Sequence, residues 1–207
     1  MKVLLVNGSP RANGCTFTAL TEIAETLKKE NIETEIFQLG NKPIRDCIAC
    51  GGCNGKNRCV FDDDAANSLI EKAELADGFV FGSPVYYAHP SGRILSVLDR
   101  AFYAGKASFA HKPAAAIVSA RRGGSAASYD VLNKYLGICQ MPIVSSTYWN
   151  MVYGSSADQV KQDAEGMQTM RNLGKNMAWM LKCIEAGKAA GITPPQAEAT
   201  ERTNFIR

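Results

Sequence analysis

Short apolar runs alternate with longer amphipathic stretches along most of this chain. Lys2 to Asn7 is rich in leucine and β-branched residues and stops at Gly8, the pattern of a strand buried on both faces. Thr16 to Lys29 places Leu20, Ile23, Ala24 and Leu27 at helical spacing. Glu33 to Leu39 alternates as a second strand, halted by Gly40 and Pro43. After an irregular, cysteine-rich segment, Ala65 to Ala76 reads as a helix with Asp64 as its N-cap. Gly78 to Gly82 is a third strand ending in a Ser83-Pro84 turn, and the helix from Ser91 to Tyr103 carries Ile94, Leu95, Leu98 and Phe102 on one stripe. Ala114 to Ala120 is a fourth strand, closed by Arg121-Arg122-Gly123-Gly124 and followed by a short helix from Ser128 to Leu136. Ile143 to Trp149 is the expected fifth strand, and Asp158 to Ala186 one long helix with a methionine-rich stripe from Met167 to Met180, expected in the core or at a subunit interface.

Parallel strands need crossover connections, so strands each followed by a helix imply an α/β protein whose sheet is covered on both faces. Five of them suit a doubly wound parallel sheet in the order 2-1-3-4-5, here with a cysteine-rich insertion after the second strand. Residues 1–190 then form one domain, and residues 191–207, with Pro194 and Pro195, a tail. It is read either as a disordered end or as an arm that docks on a neighbouring subunit, with the apolar Phe205-Ile206 leaning toward docking.

Composition narrows the classes. With 46% hydrophobic residues among 207 and a net charge of +3, the chain has the make-up of a folded globular domain, not of a disordered one. No run reaches the roughly 18 apolar residues of a membrane span. The near balance of 23 Lys+Arg and 20 Asp+Glu offers no nucleic-acid footprint. The apolar run after Met1 is too short for a signal peptide, and seven cysteines is an odd number for a disulfide framework. A reducing, cytoplasmic setting is therefore expected.

Ligands of a doubly wound sheet sit beyond the carboxyl ends of its strands. The first such turn runs from Gly8 to Thr16 and has neither a dinucleotide fingerprint nor a triphosphatase loop. It offers the hydroxyls of Ser9 and Thr16, the Arg11 guanidinium and the amides of a helix N-terminus, a donor set suited to a phosphate dianion. The plainer reading is a strand-to-helix turn capped by Ser9 or Asn13.

Gly8-Ser9-Pro10-Arg11 with Asn13-Gly14, together with Gly82-Ser83-Pro84-Val85-Tyr86-Tyr87 leading into Ser91-Gly92, resembles the flavodoxin-like NADPH-dependent FMN reductases over roughly residues 1–150. The resemblance implies FMN, with its phosphate held by Ser9, Arg11, Asn13, Gly14, Cys15 and Thr16. It places the isoalloxazine ring against Pro84, Val85, Tyr86 and Tyr87, and the ring's pyrimidine side against the loop Ser119 to Gly124, including Arg121 and Gly123. Arg121 and Arg122 are open to a second reading, as contacts for the 2′-phosphate of NADPH or as solvated charges. His89 has no assigned role, and Asp62-Asp63-Asp64 reads as helix N-terminal charge rather than a metal site.

Cys47, Cys50, Cys53 and Cys59 are spaced C-x2-C-x2-C-x5-C within thirteen residues, with Gly51, Gly52 and Gly55 allowing the turns between them. Three thiolates at two-residue gaps with a fourth farther off follow the logic of a compact [4Fe–4S] site. Free thiols, a zinc site or disulfides are the alternatives. With the FMN motifs, the run resembles the iron-sulfur flavoproteins. That resemblance implies an FMN-dependent oxidoreductase with a cluster relay, NAD(P)H or a ferredoxin-type electron carrier as donor, and a small-molecule electron acceptor. A cluster-free NAD(P)H-dependent FMN or quinone reductase is the second reading. A simple flavodoxin carrier is the third, and it fits poorly because such carriers are acidic whereas the sequence pI here is about 8.4. No catalytic triad or paired carboxylate is needed, since the flavin supplies the chemistry. A homodimer or homotetramer is expected, a second subunit completing the shallow cofactor crevice.

Overall fold

A computed structural model describes residues 1–198, 201 and 203. In chain order the elements are β1 (Lys2–Asn7), α1 (Cys15–Lys29), β2 (Glu33–Gln38), α2 (Ala65–Glu74), β3 (Gly78–Tyr86), β4 (His89–Pro90), α3 (Gly92–Gly105), β5 (Ala114–Ala120), α4 (Ser125–Ile138), β6 (Met151–Tyr153), α5 (Ala157–Gln162) and α6 (Ala164–Ala189). The sheet order is β2-β1-β3-β5-β6, with every pair on that path parallel. Counting only these parallel strands, it is the expected 2-1-3-4-5. The sixth strand, β4, is a two-residue return that pairs antiparallel with the end of β3.

Alternate residues of the central strands feed two cores. Leu4, Val6, Phe79, Phe81, Ala114, Ala116 and Val118 face α2, α3 and α4, where Phe102 stacks on Phe109 at 4.4 Å. Val3, Leu5, Val80, Ala115 and Ile117 face α1 and α6. Both sides of these strands are dry, which is why their sequence reads as continuous apolar runs rather than alternation. The methionine stripe of α6, Met167, Met170 and Met177, lies in the second core.

Two expectations are corrected. The fifth parallel strand is Met151–Tyr153, not Ile143 to Trp149. Ile143 makes an isolated bridge to Ala114, and regular pairing resumes only at Val118 with Met151, four residues out of register. The intervening polar groups find partners on α6 instead: Asn176 donates to the Ser145 carbonyl at 2.8 Å, and Ser146 to the Thr169 carbonyl at 2.7 Å. Asn150 then mimics the missing strand, its side chain donating to the Ala116 carbonyl at 3.1 Å while its own carbonyl accepts from the Val118 amide at 3.0 Å.

The long last helix is also divided. Asp163 ends α5 and caps α6, accepting from the Gly166 amide at 2.9 Å and from the Tyr153 amide at 2.7 Å. Among the described residues no helix is long and apolar enough to cross a membrane. Beyond α6, residues 193–198 are exposed and without regular structure, while Phe205 and Ile206 of the expected docking arm lie outside the described residues.

Candidate functional site

Three loops leave the carboxyl ends of the neighbouring strands β1, β3 and β5 and are knitted together there. The Gly8 amide donates to the Gly82 carbonyl at 2.8 Å. Ser91 caps α3, its hydroxyl accepting from the Ile94 amide, and donates across to the Gly8 carbonyl at 2.8 Å. Thr16 and Ser119, both buried and 103 residues apart in sequence, share a hydrogen bond of 2.8 Å. The first turn of α1 and the end of β5 thus meet through a pair of hydroxyls.

Within the first turn, Ser9 is buried and its hydroxyl accepts from the Arg11 amide at 3.2 Å, while Arg11 and Asn13 are exposed. Cys15 is half-buried, its thiol directed at the Gly154 carbonyl at 3.5 Å. Asn7 and Gln38, not singled out from sequence, brace the turn from below. Asn7 accepts from the Ser9 amide at 3.1 Å and donates to Gln38, and Gln38 donates to the Ser9 carbonyl at 2.7 Å. A polar residue at the last position of a buried strand is the sequence signal by which Asn7 could have been found.

Neither Ser9 nor Asn13 caps α1. The N-cap is Gly14, with no side-chain cap and no acidic residue in the first turn. The same holds for α4, capped by Gly124, whereas α2, α3, α5 and α6 are capped by Asp64, Ser91, Ser156 and Asp163. The two helices with free amide donors are those that open toward the crevice, and an anion satisfies such donors. The strand β3 runs through the expected Ser83-Pro84 turn to Tyr86, Pro84 pairing with Ser119 of β5, and the residues present fit FMN: amides and hydroxyls for its phosphate, and Pro84, Val85 and Tyr86 at the end of β3 for its ring.

The β3–β4 return turns through Tyr87 and Ala88, both with positive φ (50° and 59°). Tyr86 is half-exposed, and Tyr87 projects fully into solvent at the tip. Gly124, at φ 91°, lies so close that a side chain there would meet the Ala88 backbone at 2.4 Å, so only glycine lets the two ring-side loops pack. Arg121, Arg122 and Gly123 are exposed on that loop.

The cysteine segment packs elsewhere, along α2 and the second half of α3. Cys47, Cys50, Cys53 and Cys59 all line one hollow, floored by Val60, Phe61, Arg100 and Tyr103. All are free thiols, with Cys47 and Cys50 exposed. Gly51 and Gly55 have positive φ, and so do Ala49 and Asn57. Cys59 is the anchored member. Its amide donates to Asn67 at 2.8 Å, and the Asn67 amide group donates back to its carbonyl at 3.0 Å. Donor type and number fit an iron-sulfur cluster. Among the described residues, no three His, Cys, Asp or Glu side chains stand close enough together to hold a metal ion. From Ser91 to Tyr103, α3 separates this hollow from the flavin loops by roughly 18 Å of helix.

The sequence alone does not mark Arg100, which lies beneath the hollow and pairs with Asp64. Burial works against its charge, but hydrogen bonds to Cys59 and Asp64 outweigh it and hold the guanidinium above its ordinary pKa. Of the three aspartates only Asp64 serves the helix terminus, while Asp62 and Asp63 precede it and pair with Arg58 and Arg45. Asp64 caps α2, Asp63 is held below the usual carboxylate range by Arg45, and Asp62 by Asn67 and then Arg58.

Comparison with known proteins follows these lines. The family model for NADPH-dependent FMN reductase matches residues 1–155. An iron-sulfur flavoprotein of Methanocaldococcus jannaschii is 30% identical over 194 residues, covering 89% of this chain and 100% of that one. An iron-sulfur flavoprotein of Methanosarcina thermophila is 26% identical over 192 residues, covering 91% and 99%. Among solved structures, a flavodoxin from the domain Archaea superposes with a TM-score of 0.61 at 14% identity, over 88% of this chain and 99% of the other.

Proposed function

The chain belongs to the NADPH-dependent FMN reductase family, of the iron-sulfur flavoprotein type, as a flavin-dependent oxidoreductase, and on that premise we propose that it passes electrons from NAD(P)H or a ferredoxin-type carrier to a small acceptor through FMN, with a [4Fe–4S] cluster on Cys47, Cys50, Cys53 and Cys59 as relay. The observation that carries this reading is the lining of one hollow by all four free thiols over a buried guanidinium. Bound FMN exchanges electrons singly or in pairs, and an iron-sulfur cluster exchanges them singly.

The chain's own residues position and insulate. The uncapped α1 amides, Ser9, Arg11, Asn13, Gly14, Cys15 and Thr16 would hold the phosphate, with Asn7 and Gln38 keeping the turn in shape. Pro84, Val85 and Tyr86 would flank the ring, and the loop from Ser119 to Gly124, with Arg121 and Gly123, would close its polar edge. Tyr87, expected beside the ring, stands fully exposed at the tip of the return, where it would meet the ring or an outside donor only from the solvent side. A second copy of the chain would complete this crevice in a homo-oligomer.

The absence of converged thiols among the described residues favours a second reading, a cluster-free NAD(P)H-dependent FMN or quinone reductase. Purification without oxygen separates the two. The relay reading expects a broad absorption beneath the flavin bands, lost in air, with about four iron atoms per chain. Two clean flavin bands without iron, bleached rapidly by NAD(P)H, would establish the reductase.

A further inference from the structure

Arg100 is 2% exposed and heads the fully buried side chains by size. Taking a guanidinium out of water costs several kcal/mol unless its donors are matched. They are matched here, by the two ends of the cysteine segment. Its Nε donates to Cys59 Sγ at 3.3 Å, one terminal nitrogen to Asp64 and to the Arg45 carbonyl at 3.2 Å, and the other to the Phe61 carbonyl at 2.8 Å.

A clasp alone would need only the carbonyls and Asp64. Directing Nε at sulfur is a poor use of a donor if the sulfur is a neutral thiol, a weak acceptor, and a good one if the sulfur is an anionic ligand. Among the described residues Cys59 is the one cysteine whose sulfur accepts such a bond. We infer that Arg100 is a positioning residue that raises the reduction potential of a cluster ligated by Cys59, and that Asp64 is the countercharge that limits the rise. The inference rests on the cluster reading above. Reduction adds one negative charge to the cluster, and an N–H donor with a fixed positive charge at a ligand sulfur stabilises the reduced form more than the oxidised one. The Asp64 carboxylate opposes that field from the far side of the same guanidinium.

Arg100→Gln removes the charge. Asp64→Asn removes the countercharge while keeping a good N-cap for α2. Both variants and the parent chain would be loaded with FMN, iron and sulfide without oxygen, then titrated with reductant while cluster and flavin absorption are followed separately. The expected result is a lower cluster potential in Arg100→Gln, a higher one in Asp64→Asn, and an unmoved flavin potential in both. A purely structural clasp would lower the melting temperature of both variants without moving the two cluster potentials in opposite directions. Cluster potentials that stay put, or move together, overturn the inference and leave the cluster reading intact. If Arg100→Gln retains no iron, Asp64→Asn decides alone, a raised potential supporting the assignment and an unchanged or lowered one ending it. A parent chain that takes up no iron ends the cluster reading, and this inference with it.

Discussion

At Gly8 a side chain has nowhere to go: a Cβ would stand 2.7 Å from the Gly82 carbonyl and 2.8 Å from Ile94. Gly8→Ala should cost about 1–3 kcal/mol through overpacking and should weaken FMN retention, because the phosphate turn starts at that contact. Chemical denaturation and fluorescence titration with FMN would read both, and an unchanged affinity would show that the turn tolerates the shift. Glu35, on β2, is held below the ordinary glutamate pKa by hydrogen bonds from Lys2 and then Lys72. A depressed carboxylate stabilises the fold above its unfolded pKa, and that contribution is lost as pH falls through the folded value. Glu35→Gln should therefore lose under about 1 kcal/mol at neutral pH, and the gap from the parent should close in acid. A gap that widens on acidification would contradict the assignment.

Elements are shaped by local strain as much as by period. The β3–β4 return places Tyr87 and Ala88 in the left-handed region, where hairpin turns usually carry Asn-Gly. Tyr87 touches solvent alone, so Tyr87→Asn should stabilise the return by up to about 1 kcal/mol without loss of packing. Thermal melts of the apoprotein test this, and destabilisation would mean that the tyrosine ring holds the tip. In the last third of the chain, the β-branched and aromatic residues from Ile143 to Trp149 suggest a strand, yet α6 takes over hydrogen bonds of the Ser145-Ser146-Thr147 run at its centre. The Val144 amide still donates to the Ala114 carbonyl at 2.8 Å, but beyond it Asn176 donates to the Ser145 carbonyl and Asn172 to the Thr147 hydroxyl, so the segment turns from β5 toward α6.

On the scale of the whole molecule, the sheet and its two cores form a frame from which the loops after β1, β3 and β5 extend. A ligand that binds only the folded chain stabilises it by mass action. FMN at a hundred times its dissociation constant should add about 2.7 kcal/mol, or roughly 5–10 °C in melting temperature for a domain of this size. Calorimetry of apo and loaded protein checks this, and a shift near zero at saturating FMN would place the flavin outside the folded crevice. The cysteine hollow lies one helix length from that crevice, so α3 links the two sites by its N-cap Ser91 at one end and Arg100 with Tyr103 toward the other.

Local period and composition encode the elements of this fold and the order in which they follow one another. Buried strands announced themselves as apolar runs, helices as stripes, and together they imposed a parallel, doubly wound sheet with turns at the ends of β1, β3 and β5. The spacing of the four cysteines was likewise plain, as was the Asp64 cap. Tertiary structure decided what depends on distant partners. Ser119 meets Thr16 across 103 residues, and Arg100 reaches Cys59 across 41. Residues 143–144 bridge to Ala114 of β5, and those that follow turn to partners on α6. No local pattern marks such contacts, because a buried polar group is satisfied by whichever partner the fold brings near, and that partner is chosen by packing rather than by sequence neighbours.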